Sequence, residues 1–486
     1  MSTATTPHSF IAKWRDVELK ERSSAHEHFI DLCRLLGVAT PVEHDPTGDI
    51  YTFEKGTEKS SGGHGFADVW FKDHFAWEFK SPGARLDDAY QQLLLYREAL
   101  ESPPLLVVSD LQNIHVHTNF TGTVKQIHRI HIDELDDPDN LRLLRQVFTD
   151  PEKLRPRRTP AQVTEEAAER FAKITLGLRG RGEDAEQTAH FMVQLLFCLF
   201  AEDVGLLPNK IFSRLVHFCA RNPEHFTGQI GELLGAMRDG GVSNLETINR
   251  FNGGLFNEIH VLELTESELL ELERACRLDW SYIEPAISGT LFERSLDPAR
   301  RSQLGAHYTG RQDIERVVEP VVMQPLRRRW AEVRDEADRL KADWDKSTGR
   351  QARENRRNRL AGLLQGFQEE LSQVRILDPA CGSGNFLYVA LENLLDLEKQ
   401  VAQYAALNGL PFLMPQVRPT QLYGLEINHY ARELTQTVIW IGYLQWMRLN
   451  AHRVSDNPVL DPMETIILLD SILQHNGAIT PPPTLC

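Results

Sequence analysis

The chain has 486 residues, 41% of them hydrophobic and 25% charged, which is typical of a soluble globular protein with two or three domains. No stretch approaches the ~18 apolar residues of a membrane span, the N-terminus lacks a signal-peptide pattern, and the six scattered cysteines indicate neither a zinc site nor a disulfide framework, so we expect a cytoplasmic protein. The net charge of −16 argues against a general nucleic-acid binder, although a local basic groove can still hold DNA within an acidic whole.

Residues 1–150 alternate helix and strand signals and predict an α/β domain. An amphipathic helix over 25–36 precedes three β-rich stretches, and a helix over 87–100 precedes a buried strand at 105–109. The three β-rich stretches are residues 49–53, 66–71 and 75–80. The following segment, 151–162, is rich in Pro, Arg and Thr and is predicted to be a linker.

The second and third β-rich stretches predict a hairpin that turns at residues 72–74. In that register, positions that sum to 146 face each other, so Asp68 lies opposite Glu78, and Lys80 shares the face of Glu78. Two facing carboxylates repel unless a cation lies between them, and Mg²⁺ prefers carboxylate oxygens. Lys80 could then orient or deprotonate an attacking water. We therefore predict Asp68, Glu78 and Lys80 as catalytic residues of a nuclease, with Asp68, Glu78 and Glu27 as metal ligands.

The alternative is an exposed hairpin with charged residues on its wet face, because the spacing Asp-x9-Glu-x-Lys is common by chance. Apolar residues fill the rest of the hairpin, however, and a helix that carries Gln92 and Tyr96 follows. This order resembles the PD-(D/E)XK nuclease superfamily, in which the Asp and Glu bind metal and the Lys assists. Ala67 stands where the family name has proline. The resemblance implies the nuclease fold and leaves retained cleavage open.

Residues 163–300 predict a mostly helical connector, with an apolar block at 191–200. Beyond it, 313–330 is predicted to be helical with interruptions at Pro320 and Pro325, and 331–360 is typical of an exposed or coiled helix. Clusters of arginine could line a DNA groove, although each cluster alone is more typical of a solvated helix surface. The clusters lie at 155–158, 327–329 and 353–359.

A strand at 374–377, a glycine loop and the start of a helix form the sharpest pattern in residues 301–486. Glycines let the backbone approach a ligand closely, and the positive end of the following helix faces the pocket. Residues 378–386 read Asp-Pro-Ala-Cys-Gly-Ser-Gly-Asn-Phe. This string closely resembles motif I of amino-group DNA methyltransferases, which binds S-adenosylmethionine (SAM). A plain strand–helix turn is the alternative. The predicted cofactor-binding residues here are Asp378, Pro379, Ala380, Cys381, Gly382, Gly384, Asn385 and Phe386.

Two acidic strand ends and one upstream motif complete the predicted pocket. Glu426 ends a strand and is placed to accept hydrogen bonds from a ribose diol. Asp470 ends a third strand and suits the amino group of adenine, although each acid alone is more often a cap. His307, Tyr308 and Thr309 resemble motif X, which lines the methionine end of SAM in adenine methyltransferases. Thr309 as the cap of the next helix is compatible with that role.

The order of these features resembles the MmeI-like (type IIL) restriction–modification enzymes, in which one polypeptide methylates and cuts DNA. The resemblance implies a multidomain α/β protein whose last domain is an incomplete Rossmann-like methyltransferase fold. It implies SAM and Mg²⁺ as cofactors, double-stranded DNA as substrate and adenine N6 as the methylated atom. The implied domains are a nuclease-like domain at 1–150, a linker at 151–162, a helical connector at 163–300 and a partial methyltransferase domain at 301–486.

The family's catalytic motif, (Asp/Asn)-Pro-Pro-(Tyr/Phe), which holds the flipped base, is the one feature we do not find. Residues 456–459 lack the second proline, and 481–484 lack the polar and aromatic residues. A first strand with too few neighbours would also expose an apolar edge. We therefore expect a truncated product, a split gene or a fragment that binds SAM but does not methylate alone. The alternatives are a non-catalytic DNA-defence subunit that works with a second chain carrying the missing half, or a decayed product.

Overall fold

The computed structural model describes residues 5–15, 17, 21–55, 67–251, 254–287, 289, 309–411, 413–450 and 463–472. The chain divides into two compact units, Met1–Pro160 and Ala161–Cys486. The boundary falls inside the predicted linker, but part of that linker is ordered: Leu154 is buried in the core of the first unit. Within the described residues, no helix has the length and apolar character that a membrane crossing requires.

The first unit has the predicted order of helix, three strands, helix and strand, and two further strands extend it. Its elements are α1 (Pro7–Trp14), α2 (Glu21–Leu36), α3 (Pro41–His44), β1 (Tyr51–Lys55), β2 (Ala67–Phe71), β3 (Phe75–Phe79), α4 (Leu86–Leu95), β4 (Leu105–Ser109), β5 (Asn113–Thr118), β6 (Ile127–His131) and α5 (Pro138–Thr149). The strands form one six-stranded sheet in the order β1-β2-β3-β4-β5-β6. Only β3 and β4 among these neighbours run parallel, because α4 connects them.

The two faces of this sheet bury different helices. On one face, Phe29 of α2 is fully buried and packs edge-on against Trp77, with ring centroids 5.4 Å apart, and against Phe148 of α5. Burial of an aromatic side chain of this size contributes roughly 1.5–3 kcal/mol relative to exposure. On the other face, beneath α4, Trp70 donates a hydrogen bond to the carbonyl oxygen of Leu100. Alternation along each strand therefore separates an aromatic core from the α4 face.

Helix α4 is shorter than the sequence predicts. It ends at Leu95 instead of continuing to residue 100, and Tyr96 is its C-cap. Glu101 and Ser102 have positive φ values of 64° and 48°, and two prolines follow at 103–104. A residue that precedes proline is disfavoured in the helical region, so the chain leaves the helix before reaching them.

The second unit joins the predicted connector to the predicted methyltransferase segment, so these do not form separate units. Its elements are α6 (Pro160–Gly180), α7 (Ala185–Asp203), α8 (Ile211–Cys219), α9 (Phe226–Asp239), β7 (Gly241–Ser243), β8 (Glu246–Ile248), α10 (Glu266–Ala275), α11 (Arg311–Val318), α12 (Gln324–Asp345), α13 (Arg350–Ser372), β9 (Ile376–Asp378), α14 (Asn385–Leu407), β10 (Leu422–Glu426), α15 (His429–Leu449) and β11 (Ile466–Leu468). The predicted apolar block lies in α7, which is buried all round between residues 188 and 202, as expected for a helix that is apolar on every face. The short β7–β8 hairpin was not predicted.

Helices α12 and α13 form an antiparallel pair in place of the single exposed or coiled helix predicted over 331–360. The ring of Trp330 stacks on Phe367 with centroids 5.4 Å apart, and Arg329 makes two hydrogen bonds to the carboxylate of Glu370. The break comes at residues 346–349, where Ser, Thr and Gly disfavour helix continuation. Pro320 lies in a π-helical turn, Glu319–Met323, whereas Pro325 fits in the first turn of α12 without an interruption.

A parallel sheet in the order β11-β10-β9 carries the C-terminal strands. β10 is central, and Gly424 pairs with both Asp378 and Ile466. Among the strands that the structure describes, β9 has one neighbour, and its three residues are only half-buried. The carboxyl ends of all three strands therefore meet at one edge of the sheet, where ligands bind in open α/β sheets.

Candidate functional sites

The β2–β3 hairpin has the register that the sequence predicts. Val69 pairs with Trp77 and Phe71 with Phe75, so paired positions sum to 146. Asp68 and Glu78 directly precede and follow one of these pairs and come to neighbouring positions across the two strands. The side chain of Glu78 is only 6% exposed, so its charge needs a partner within the protein or a bound cation.

Protein groups already contact both carboxylates. Lys80 Nζ lies 2.8 Å from Glu78 Oε1 and donates a second hydrogen bond, of 3.1 Å, to Gln92 Oε1 on α4. Asp68 Oδ2 accepts a 2.7 Å hydrogen bond from the backbone N–H of Phe79. The two carboxylates therefore do not need a metal to relieve their repulsion, because Lys80 supplies a positive charge beside Glu78.

Glu27 is not brought to the hairpin. Its carboxylate lies 2.5 Å from Lys13 Nζ of α1, and its side chain is 62% exposed. The neighbouring His28 is the buried residue at this level of α2, and its ring contacts Phe79 on the aromatic face of the sheet. No three His, Cys, Asp or Glu side chains within the described ranges are grouped so that they could hold a metal. We therefore correct the predicted three-carboxylate set to Asp68 and Glu78.

Polar side chains continue from Glu78 across the α4 face of the sheet. Glu78 pairs with Val108 of β4, Val108 with His115 of β5, and His115 with Arg129 of β6. Because paired residues project to the same face, the predicted nuclease residues share a surface with an imidazole and a guanidinium. Arg129 is exposed and has no ion pair with any residue that the structure describes. Sequence analysis did not identify this row, because β5 and β6 were not predicted.

The glycine loop connects β9 to α14 as predicted, and α14 begins at Asn385. Gly382 and Gly384 have φ values of +54° and +82°, which L-amino acids with a side chain rarely adopt. A Cβ atom on Gly384 would also lie 2.8 Å from Thr435 Cγ2 and 3.1 Å from Thr435 Cα. Glycine at 384 is therefore required twice, by the backbone conformation and by the close approach of α15.

The predicted acid at the end of β10 contacts the glycine loop. Glu426 Oε2 accepts a 2.8 Å hydrogen bond from the N–H of Gly382, and Oε1 accepts a 2.9 Å bond from the N–H of Asn428. Gly424, on the same strand, lets Cys381 pack closely, since a Cβ atom on Gly424 would lie 2.8 Å from Cys381 Sγ. The structure thus brings the loop and the strand-end acid together at the carboxyl edge of the sheet.

Burial shifts two titratable groups of the loop. It raises the pKa of the Asp378 carboxyl, and Oδ1 of Asp378 accepts a hydrogen bond from the N–H of Ala380. Burial also raises the pKa of the Cys381 thiol to about 12. A thiol with that pKa remains protonated near neutral pH, so Cys381 is a packing residue and not a nucleophile. Pro379 and Ala380 are exposed, and Phe386 is half-buried.

The remaining predicted pocket residues are less well integrated. Asn385 is buried, and its Oδ1 has no hydrogen-bond partner among the residues that the structure describes. Asp470 lies two residues beyond β11, is exposed and accepts a 2.8 Å hydrogen bond from the N–H of Ile472. Thr309 is half-buried and does not cap a helix, because α11 begins at Arg311 with Gly310 at its N-cap. His307 and Tyr308 lie outside the described residues.

Two residues that support the loop were missed by sequence analysis. Thr435 of α15 is fully buried, and its Oγ1 lies 2.6 Å from the carbonyl oxygen of Gly382. Gly289 approaches Ser383 so closely that a Cβ atom on Gly289 would lie 2.8 Å from Ser383 Cβ. No local signal marks either residue, because each acts on a segment that is distant in the sequence.

Comparison with known proteins finds family matches in three parts of the chain. Three family models match in consecutive order: the MmeI N-terminal domain over 4–181, the MmeI helicase spacer domain over 186–256 and the MmeI DNA-methyltransferase domain over 349–470. DNA methyltransferase A of Bacillus subtilis (strain 168) is 29% identical over 294 residues, which cover 58% of this chain and 30% of that protein.

Two solved structures are also similar to the chain. The type IIL restriction–modification enzyme MmeI in complex with DNA is 25% identical, with a TM-score of 0.48, over 63% of this chain and 40% of MmeI. The DrdV–DNA complex is 16% identical, with a TM-score of 0.27, over 97% of this chain and 40% of DrdV. In each comparison the chain therefore spans less than half the length of the relative.

Proposed function

Since the chain belongs to the MmeI family by three consecutive domain matches, we propose that it is a SAM-binding DNA methyltransferase component of a type IIL restriction–modification system. The observation that carries the proposal is the contact between the glycine loop and the acid that ends β10. Glu426 and Gly382 lie within hydrogen-bond distance at the carboxyl edge of the parallel sheet, inside the segment that matches the methyltransferase model.

The residues present fit SAM. The buried carboxamide oxygen Oδ1 of Asn385 lies at the start of α14 and has no partner within the described part of the chain, so a polar ligand group would satisfy it there. Glu426 would accept hydrogen bonds from the ribose hydroxyls, and Asp470 from the amino group of adenine. Thr309 would line the methionine end. SAM, when bound, supplies an activated methyl group.

The proposed target is the N6 atom of adenine in duplex DNA, and we propose that this chain alone binds SAM without transferring the methyl group. The support is that its 486 residues contain no (Asp/Asn)-Pro-Pro-(Tyr/Phe) sequence to hold a flipped base. The rival function is a non-catalytic DNA-defence subunit that uses the same pocket as a SAM sensor.

Calorimetric titration with SAM and methyl transfer from labelled SAM to unmethylated duplex DNA test the proposal together. We expect SAM binding and no incorporation of label by the purified chain. Incorporation would contradict the claim that the chain does not methylate alone. Failure of the folded chain to bind SAM would contradict the proposed cofactor.

For the first unit, we propose a Mg²⁺-dependent nuclease whose metal is held by Asp68 and Glu78. Two carboxylates are sufficient for Mg²⁺, which usually keeps several water ligands. The metal, when bound, stabilises negative charge on the phosphate. Lys80 then orients the attacking water, and Gln92 fixes the ammonium group through its 3.1 Å hydrogen bond. The row of His115 and Arg129 would contact the DNA backbone on the same face.

Cleavage of unmethylated plasmid with Mg²⁺, with and without SAM, tests the nuclease beside a Lys80→Ala variant. Loss of general acid–base help typically costs roughly 10²–10⁴-fold, so we expect cutting to fall at least about 100-fold. Lys72→Ala is the matched control, because Lys72 lies at the turn of the same hairpin and pairs with the exposed Glu101. No cutting by the folded wild-type chain would contradict the nuclease and favour the dependent-subunit alternative.

A further inference from the structure

One segment of the second unit runs from helices α6 and α7 to the glycine loop. We name residues 280–287 together with Gly289 the brace. At its first end, the ring of Trp280 packs edge-on against Phe171 and Phe200, with ring centroids 5.6 and 5.3 Å away. The backbone N–H of Trp280 donates a 2.6 Å hydrogen bond to Asp203 at the end of α7. This end is therefore fixed to helices α6 and α7.

The other end of the brace touches the loop that we propose binds SAM. A Cβ atom on Gly289 would lie 2.8 Å from Ser383 Cβ and 3.7 Å from Asn385 Nδ2. Real Cβ contacts are longer than 3 Å, so a side chain at 289 would displace Ser383. Gly289 does not have a positive φ. Space, and not backbone conformation, is therefore the reason for glycine at this position.

Helix α15 contacts both the brace and the glycine loop. The buried side chain of Gln445 donates hydrogen bonds of 2.9 Å to the carbonyl oxygens of both Trp280 and Ile283. Nearly three turns earlier on that helix, Thr435 fills the space beside Gly384. The loop is therefore in contact with both Gly289 and α15, and the brace and α15 are themselves linked by Gln445.

We propose that the brace sets the position of the glycine loop and thereby couples helices α6 and α7 to SAM binding. The inference rests on the proposed SAM site and adds a regulatory link to it. Gly289 and Gln445 are positioning residues that act through Ser383 and the loop backbone. Coupling between two sites is reciprocal, so SAM binding also stabilises the brace in its contact with the loop.

Exchanging the side-chain sizes at positions 289 and 383 tests the coupling between the brace and SAM binding. Gly289→Ala adds a methyl group where Ser383 packs, and Ser383→Gly removes the atoms that the methyl group would meet. We expect Gly289→Ala to weaken SAM affinity about 10-fold to 100-fold, measured by calorimetry on the full chain. The double variant should recover to within about 3-fold of Ser383→Gly alone, as a coupled pair requires.

Gly235→Ala on α9 is the matched control, because nothing lies within 4 Å of a Cβ atom placed there. It replaces glycine by alanine in a spacer helix and should leave SAM affinity unchanged while slightly stabilising the fold. Normal SAM affinity in Gly289→Ala, or no recovery in the double variant, would overturn the coupling.

Hydrogen exchange of the amides in residues 382–386 without SAM provides a readout that does not depend on the proposed cofactor. We expect faster exchange in Gly289→Ala and in the milder Gln445→Met, which removes two buried hydrogen bonds. If wild-type chain fails to bind SAM, the proposed function falls, and exchange in the loop still decides whether the brace positions it. Unchanged hydrogen exchange in both variants would refute the proposal that the brace positions the glycine loop.

Discussion

Side chains of the hairpin site in the first unit come from two adjoining strands and one following helix, whereas the glycine loop of the second unit depends on residues far away in the chain. Asp68, Glu78 and Lys80 acquire their relative positions from one β-turn register. Ser383 and Gly384 are packed by Gly289 and Thr435, which lie in the segment after α10 and in α15. The first site is therefore built locally and the second by tertiary packing.

This difference has consequences for how each site tolerates change. At the hairpin, the charges balance one another, since Lys80 contacts Glu78 and a backbone N–H contacts Asp68. At the loop, shape is the constraint, because two glycines have positive φ values and neighbouring atoms leave no room for a methyl group at 384. Changes of charge should therefore affect the first site most, and changes of volume the second.

The largest expected effect distinguishes Glu78 from Glu27, two of the three carboxylates predicted as metal ligands. Glu78→Gln should lower Mg²⁺-dependent cleavage more than about 100-fold, because stabilisation by a bound metal is worth several kcal/mol and each 1.36 kcal/mol is tenfold in rate. Glu27→Gln should leave cleavage unchanged, since Glu27 pairs with Lys13 on the surface. Equal losses in both variants would break the view that the hairpin alone forms the site.

The aromatic core beneath the hairpin should lose stability in acid. Burial lowers the pKa of His28 to about 4, whereas an unfolded histidine titrates near 6.5. The unfolded chain therefore binds a proton first as the pH falls. The stabilising contribution is fully present above pH 6.5 and is lost progressively down to pH 4, to a total of about 3 kcal/mol.

Urea unfolding at pH 7, 5.5 and 4.5 measures that loss. The His28→Phe variant keeps a ring in the core without a titrating group, so its free energy of unfolding should fall less between pH 7 and 4.5. The same slope in wild type and variant would assign the acid sensitivity to other groups. His117, whose pKa burial lowers to about 2, is the next candidate in the same unit.

A smaller effect distinguishes conformation from close packing within the glycine loop. Gly384→Ala meets both a left-handed backbone and Thr435, so we expect SAM affinity to fall about 30-fold. Gly382→Ala meets only the backbone strain, because nothing lies within 4 Å of its added Cβ atom, and should cost about 5-fold. Titration calorimetry on both variants measures the ratio. A ratio near one would mean that α15 does not pack the loop in solution.

The smallest effect concerns the row of residues beyond the hairpin. Arg129→Gln should weaken DNA binding a few-fold and lower the slope of affinity against salt concentration by about one, as for one lost phosphate contact. Arg142→Gln is the matched control, since this exposed arginine lies on α5, against the opposite face of the sheet. Binding measured at several salt concentrations without Mg²⁺ gives both slopes. Identical slopes would restrict the DNA-contacting face to the hairpin itself.

The elements whose geometry follows from periodicity alone were predicted correctly from the sequence. The hairpin register follows from alternation and a short turn, so the facing of positions 68 and 78 was predicted correctly. Helix α4 was extended too far because propensity outweighed the two following prolines in the prediction. Glu27 was misassigned for a different reason. Which face of α2 points to the sheet depends on where α1 packs, and the sequence of α2 does not contain that information.

The amino-acid string by itself determined the elements whose causes are local: the hairpin, the glycine loop with its positive φ values, the start of α14 at Asn385 and the acid at the end of β10. Steric limits on the backbone and alternation along strands act between near neighbours and are therefore visible in the order of residues. Only the tertiary structure decided which groups meet these elements. Lys13 on Glu27, Thr435 beside Gly384 and Gly289 against Ser383 each join segments that no periodicity relates, because close packing depends on the shapes of surfaces brought together by the whole fold.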